Sequence, residues 1–350
     1  MTIVGCDYHP QWQQVATCDT TTGEYTERKL MNGNGEAEVF YRQLPVPSTV
    51  GIEACGNSDW FVRLLEQMGH QVLVGDAARI RASYVRKQKT DRRDANHILK
   101  LLLEDRFPVL WRPSLAERNL RQLLIHRHKL VEIRTRVKNG LQHLAMNQGY
   151  QKKSGLWSKQ GKTFLEKLEL ASWSSVRRTD LLQLLKTLDQ QISVLDEAVE
   201  QAARDHVQAR LLMTQPGVGP ITALAFAVTI GDVSRFQNSG QVSSYLGLIP
   251  SEHSSGGKRR LGAISKQGNG FMRYLLVEAA QTVCRLDEGF RREYKARCHR
   301  KVKAVAKTAA ARKLAVRLYW MMRLDVGYPE IVRNGSSSGK ALTGSTRSKS

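Results

Sequence analysis

Three stretches decide the fold: TIVGCDYH (residues 2–9), PSTVGIEA (residues 47–54) and TDRRDANHILKLLLED (residues 90–105). The first two are short apolar runs that each close on an acid, the pattern of a buried strand that delivers a polar side chain at its end. The third opens on Thr and Asp, a helix-starting pair, and continues with helical apolar spacing. Working outward, WQQVATCD (12–19) and GEYTERKL (23–30) read as antiparallel strands joined by a turn-rich link. SDWFVRLLEQMG (58–69) reads as a helix that stops at Gly69, and HQVLVGD (70–76) as a further strand. Three strands, then strand–helix–strand–helix, predict a mixed sheet with helical cover.

The chain of 350 residues suits two or three domains, and its 41% apolar content is enough for real cores. Its 54 Lys and Arg against 32 Asp and Glu give a net charge of +22, which points to a polyanion. Nucleic acid is favoured over an anionic membrane surface, because no strongly amphipathic basic terminal helix stands out. The five scattered cysteines contain no CxxC pair, which argues against a disulfide framework or zinc finger and for a reducing cytoplasm. No run of eighteen apolar residues and no signal-like start are visible, so neither a membrane span nor a secretory signal is expected.

The charge is uneven. Residues 1–76 hold four basic and ten acidic residues, whereas 77–100 hold eight basic and two acidic, and 291–323 hold twelve basic and one acidic. In the middle, Leu181, Leu185, Leu188, Ile192, Leu195, Val199 and Ala202 alternate spacings of four and three, a coiled-coil seam. Leu123, Leu130, Ile133, Val137, Leu141 and Leu144 give a rougher version. These two helices either fold back on each other or pair with a second subunit. Further on, QPGVGPITALAFAVTIGD resembles a helix-hairpin-helix, whose exposed backbone N–H groups bind phosphate. The Gly/Ser/Thr-rich end of the chain reads as a disordered basic tail.

Four carboxylates stand out. Asp7 and Glu53 end strands, while Asp91 and Asp94 share one face at a helix start. Strand ends and helix starts meet at one edge of an α/β sheet, where sites form. Each acid has a plainer alternative: helix-dipole compensation for Asp91, ion pairing with Arg93, Lys87 or Lys89 for Asp94, an Asx turn for Asp7. Four together repel one another unless a cation neutralises them, and Mg²⁺ is the hard, oxygen-seeking choice.

The succession GCDYH, GIEACG and KTDRRDANHILKLL resembles the DEDD signature of transposases in the insertion-sequence 110 family, including its 1111 subgroup. QPGVGPITA, IGDVSRFQNSGQVSSYLGLIPSEHSSGG and AISKQGNGFMRYLLVEAA resemble that family's C-terminal transposase domain. The resemblance implies an α/β plus α architecture. Residues 1–107 would form a RuvC-like, ribonuclease-H-type domain and 108–208 a helical coiled-coil linker. Residues 209–328 would form a mainly helical transposase domain, and 329–350 the tail. It implies Asp7, Glu53, Asp91 and Asp94 as metal ligands. It implies a nucleophilic serine at Ser255, with Ser254 the adjacent register, acting with the metal in one composite site.

The expected activity is cutting and rejoining of DNA at element ends and target through a covalent phosphoserine intermediate, guided by a structured RNA. A homodimer or dimer of dimers is expected, nucleoid-associated and without a membrane. Lys258, Arg259, Arg260, Lys266, Arg273, Arg300, Lys301 and Lys303 are the candidate nucleic-acid contacts; Arg300 to Lys313 would track phosphates along one helix. The alternative is a Mg²⁺-dependent RuvC-like nuclease on branched DNA that uses water and does not need Ser255.

Overall fold

The computed structural model describes residues 1–84, 90–150, 155–252 and 260–335. The chain divides into two compact units, Met1–Arg112 and the part that begins at Pro113.

The first unit holds one five-stranded sheet: β1 (Thr2–Tyr8), β2 (Trp12–Asp19), β3 (Tyr25–Met31), β4 (Thr49–Glu53) and β5 (Gln71–Gly75). Their spatial order is β3-β2-β1-β4-β5. The first three strands are an antiparallel meander, and β4 and β5 run parallel to β1. Parallel neighbours need crossovers, and α1 (Glu36–Gln43) and α2 (Asp59–Gln67) supply them. Then follow α3 (Ala77–Ala82) and α4 (Asp91–Leu103). The strands, α2 and α4 lie where the sequence placed them. The two short helices α1 and α3 were not foreseen: α1 buries only Ala37 and Tyr41, and α3 has six residues, started by the Asp76 carboxylate accepting from Ala78 and Arg79 N–H.

Side chains alternate across the sheet. Val4, Cys6 and Tyr8 enter a core with Val50, Ile52 and Phe61. Ile3, Gly5 and Asp7 face the other way, toward α4. There Gly5 pairs with Gly51 on the neighbouring strand. A Cβ at Gly5 would stand 2.4 Å from both the Ala95 carbonyl oxygen and the Leu99 nitrogen, and one at Gly51 2.6 Å from Leu102. The helix therefore lies on bare strand backbone. Thr90 starts it, its hydroxyl accepting from Arg93 N–H. Residues 108–112 stay with this unit because Val109 bridges to Gly75 and Arg112 pairs with Glu66 at 2.9 Å.

The second unit comprises α5 (Leu115–Asn147), α6 (Lys159–Lys167), α7 (Ser172–Asp205), α8 (Val207–Met213), α9 (Pro220–Ile230) and α10 (Ser239–Tyr245). A short hairpin of β6 (Pro250–Glu252) and β7 (Leu261–Ile264) follows, then α11 (Gly270–Leu286), α12 (Glu288–Cys298), α13 (Lys303–Leu324) and α14 (Tyr328–Gly335). Helices α5 and α7 pack antiparallel within the chain: Arg127 pairs with Asp196, Arg134 with Asp189, and Gly140 faces Leu181. Leu185, Leu188, Ile192 and Val199 are buried as the seam required, but Ile133 is 38% exposed and Ala203 is buried where Ala202 was expected. A straight helix turns every 3.6 residues, so a strict heptad drifts off the contact line.

There is no break after residue 208. Leu124 and Val199 share one core with Phe226, Leu276 and Leu314. Residues 329–335 are also no tail, because α14 runs to Gly335 and buries Ile331 in that core.

One polar latch sits inside this unit. Asp287, buried at 6% exposure, caps α12 through Phe290 N–H and pairs with Arg317 of α13 at 2.6 Å. Tyr328 donates to the same carboxylate at 3.0 Å. Burial pushes the carboxyl up, and the Phe290 N–H and Arg317 overcompensate, so it ends below the ordinary aspartate range.

Two predictions follow from this packing. Gly5→Ala should destabilise the first unit by about 1–3 kcal/mol or more, while Gly33→Ala, with nothing within 4 Å, should change it by less than about 0.5 kcal/mol; urea denaturation of both variants checks this. The Asp287 contribution should be complete at neutral pH and decline as pH falls from about 4 through its depressed folded value. Asp287→Asn should cost about 3–5 kcal/mol at pH 7 and flatten that acid-side decline, read by thermal unfolding across pH.

Candidate metal centre and nucleophile loop

β1 and β4 are parallel and in register through Cys6↔Ile52, so Asp7 and Glu53 end adjacent strands at the same edge. Period-two alternation turns both toward the α4 side. The first turn of α4 brings Asp91 and Asp94 to that edge. Asp7, His9 and Asp91 each offer a ligand atom, all within 4.8 Å of one another. His9 Nε2 donates to Asp7 Oδ2 at 3.3 Å and lies 3.9 Å from Asp91 Oδ1. Its ring stacks on Trp12 at 4.1 Å, and Lys29 sits over the same indole.

Glu53 and Asp94 stand outside that tight group. Arg81 Nη2 lies 3.8 Å from Glu53. Asp94 is buried and accepts from the Tyr84 hydroxyl at 2.5 Å. The field still ties all four acids together. Burial raises the Asp7 carboxyl above its ordinary value; His9 draws it down, and the charges of Asp94 and Asp91 push it up again. Burial also raises the Tyr84 phenol, helped by its bond to Asp94 and by the charges of Asp94, Glu53 and Asp7. Tyr84 therefore remains a donor at any physiological pH. Its ring stacks on His97 at 4.1 Å. Ser83 donates to the Ile80 carbonyl at 2.6 Å and accepts from His97 Nε2 at 2.7 Å, which fixes the imidazole plane. Burial lowers the His97 pKa, so the ring is neutral.

The carboxylate set fits a hard divalent cation. Oxygen donors converge from a strand end and a helix start, and desolvation with mutual repulsion leaves Asp7 in need of positive charge. His9, Tyr84 and His97 were missed as members of this centre. The signal for His9 was its place two residues beyond Asp7 along the strand direction. Nothing local marks Tyr84, whose partner lies ten residues on.

Ser255, Ser254, Lys258 and Arg259 lie outside the described residues. The hairpin arms on either side are described: Pro250 pairs with Ile264 and Glu252 with Leu261. At the hairpin base, Gly247 adopts φ +65°, where a Cβ would meet the Gln267 carbonyl oxygen at 2.1 Å. Arg273 closes the same place, donating to the Leu246 and Gln267 carbonyls. It braces the hairpin through one guanidinium nitrogen and is half-buried. Arg260 and Lys266 are exposed near the hairpin. Arg300 and Lys301 are exposed in the turn between α12 and α13, and Lys303 opens α13. The basic run thus bends between two helices instead of following one. At the α9 start, a pocket is lined by Arg127 and His128 as well as by Asp196, Glu200 and Glu278.

The chain is similar to known proteins in both units. A model described as "Transposase IS116/IS110/IS902 family" matches residues 209–295, and a DEDD model for IS110 elements, described as "Transposase", matches residues 4–148. A "Probable family 20 transposase" of Pseudomonas aeruginosa is 30% identical over 289 residues, covering 81% of this chain and 84% of its own. The "Transposase for insertion sequence element IS1111A" of Coxiella burnetii is 30% identical over 245 residues, covering 67% of this chain and 66% of its own. The IS1328 transposase of Yersinia enterocolitica is 29% identical over 250 residues, covering 67% and 70%. An acid-edged α/β unit followed by a basic helical unit is here the body of a transposase. The chain belongs to the IS110/IS116/IS902 transposase family. Among the described residues, no helix is long and apolar enough to cross a membrane.

Tyr84→Phe keeps the ring on His97 and removes the donor to Asp94. Affinity for Mn²⁺, titrated calorimetrically, should fall about 10–100-fold with the unfolding temperature unchanged. Asp7→Asn should abolish the binding heat.

Proposed function

We propose that the protein cuts and rejoins DNA strands at the ends of its element and at the target through a covalent phosphoserine linkage. The convergence of Asp7, His9 and Asp91 at the edge of a sheet ordered β3-β2-β1-β4-β5 carries this reading. That order and those strand-end acids suit a RuvC-like domain. Asp7, Glu53, Asp91 and Asp94 would hold the cation, with Mg²⁺ the chemically apt choice. When bound, such a cation neutralises the scissile phosphate and eases deprotonation of a hydroxyl.

Ser255 is the proposed nucleophile. Its Oγ bonds to phosphorus, one ester P–O bond breaks, the serine proton is lost, and the departing strand oxygen becomes a hydroxyl. A serine hydroxyl needs activation, which is why the acids and the serine are proposed to act in the same step. The linkage retains the phosphodiester energy, so strands rejoin without ATP. Lys258, Arg259 and Arg260 follow the serine after Gly256 and Gly257 and suit the developing negative charge. The remaining basic residues suit phosphate tracks of DNA and of a structured guide RNA, with target sequence chosen by base pairing. A homodimer or dimer of dimers fits this scheme, with the antiparallel pairing of α5 and α7 as a coiled-coil element.

Trapping tests this. Protein, Mg²⁺, guide RNA and labelled element-junction DNA are mixed and resolved on a denaturing gel. A protein-linked band should form, and should vanish in Ser255→Ala and in Asp7→Ala. Cleavage without such a band, undiminished in Ser255→Ala, would replace the serine with water and make the protein a RuvC-like nuclease.

A further inference from the structure

We propose that a cleft between α11, α12 and α13 binds one unstacked nucleotide of a single strand. The cleft has a volume of about 620 Å³, within the range of small-ligand pockets. Its floor is apolar and small: Ala280, Cys284 and Ala310 line it and are buried. Tyr294 forms one wall, half-buried. Arg285, Arg291, Lys295 and Lys307 line the rest together with Gln281, Thr282 and one acid, Glu278, so the rim is cationic on balance. Among the described residues none of these four cations is in an ion pair; the lining acid Glu278 accepts from Gln281, and Glu293 and Asp287 pair with Lys313 and Arg317.

An apolar floor inside a cationic rim selects a ligand that is flat and apolar on one side and anionic on the other. A nucleotide has both properties: a base face for the floor and Tyr294, and flanking phosphates for the rim. A base inside a duplex presents only its edge and cannot reach such a floor until it leaves the stack. The occupant is therefore a single-stranded or extruded nucleotide. The choice of nucleic acid over other amphiphilic anions rests on membership of a transposase family, not on the serine or the metal. The two helix ion pairs hold α12 at a fixed distance from α13, so the cleft is built into the fold.

The test uses the full-length protein in EDTA with short fluorescent oligonucleotides: single-stranded DNA, RNA of the same sequence, the DNA duplex, and single strands with one abasic position. Arg291→Glu with Lys295→Glu should weaken single-strand binding at least tenfold and lower the salt slope by about 1.4, two phosphates at about 0.7 each. Tyr294→Ala should weaken it about 5–150-fold, the worth of one stacked base, and Tyr294→Phe should leave it intact. An abasic position should lower wild-type affinity and cancel the Tyr294→Ala effect. Duplex affinity should stay within about twofold throughout, with the unfolding temperature of each variant as the fold control. Tighter binding of either DNA or RNA supports the proposal and names the strand. Equal losses on duplex and single strand, or no effect of Tyr294→Ala in a folded variant, would overturn it in favour of a general phosphate-binding face. Because EDTA removes any metal, this binding is read without strand chemistry. A failed trapping experiment with this pattern intact would therefore refute the serine chemistry alone.

Discussion

The seating of α4 on the bare backbone of β1 is the contact on which the acid edge depends. Gly5 and Gly51 stand side by side, and together they remove the two side chains that would hold the helix off the sheet. Asp7 follows Gly5 by two residues on the same face, and Asp91 opens the helix that Gly5 admits. Any Cβ at residue 5 displaces a helix backbone, which has no rotamer with which to yield. Strand register, helix depth and carboxylate spacing are thus one geometric fact. The Thr90 cap adds the axial position, since it fixes which residues form the first turn of α4.

Electrostatics then separates the acids by role. Asp7, in the desolvated position, is shifted by its neighbours, and Asp91 is exposed beside it. Asp94 is held by a phenol that is itself braced by His97 and Ser83. A chain of rigid groups behind a ligand fixes its orientation more firmly than a single contact does. The second unit uses the same device in a different place. Asp287 gathers a helix cap, a guanidinium and a phenol on one carboxylate and so pins three helices.

The sheet was legible because β1, β4 and β5 are apolar runs bounded by polar ends and β2 and β3 flank a turn-rich link, and period two alone assigns Asp7 and Glu53 to one face. Helix α4 was legible from Thr90 and its apolar spacing. Helices α1 and α3 were not, because their few buried residues gain meaning only from the sheet they cover. The α5–α7 pairing was readable as a seam, but Ile133 and Ala202 show where a heptad departs from a true helix. His9 was marked only by its place two residues beyond Asp7, and Tyr84 joined the centre through a partner ten residues on that spacing does not encode. The bracing role of Arg273 was not legible either: a cation in a sequence carries no mark of the carbonyls it will hold. Ser255 stood on resemblance throughout, since a Ser/Gly-rich stretch beside lysine and arginine has no chemistry of its own to read.

The division after Arg112 also has a consequence in time. Every strand of the first sheet, and all four acids, are encoded before residue 113, with a core of their own. Synthesis runs N-terminus first, so the acid edge exists as peptide 143 residues before Ser255. At ordinary elongation rates that interval is roughly 7–30 s. A nascent chain on the ribosome therefore carries the complete carboxylate set while it still lacks the proposed nucleophile.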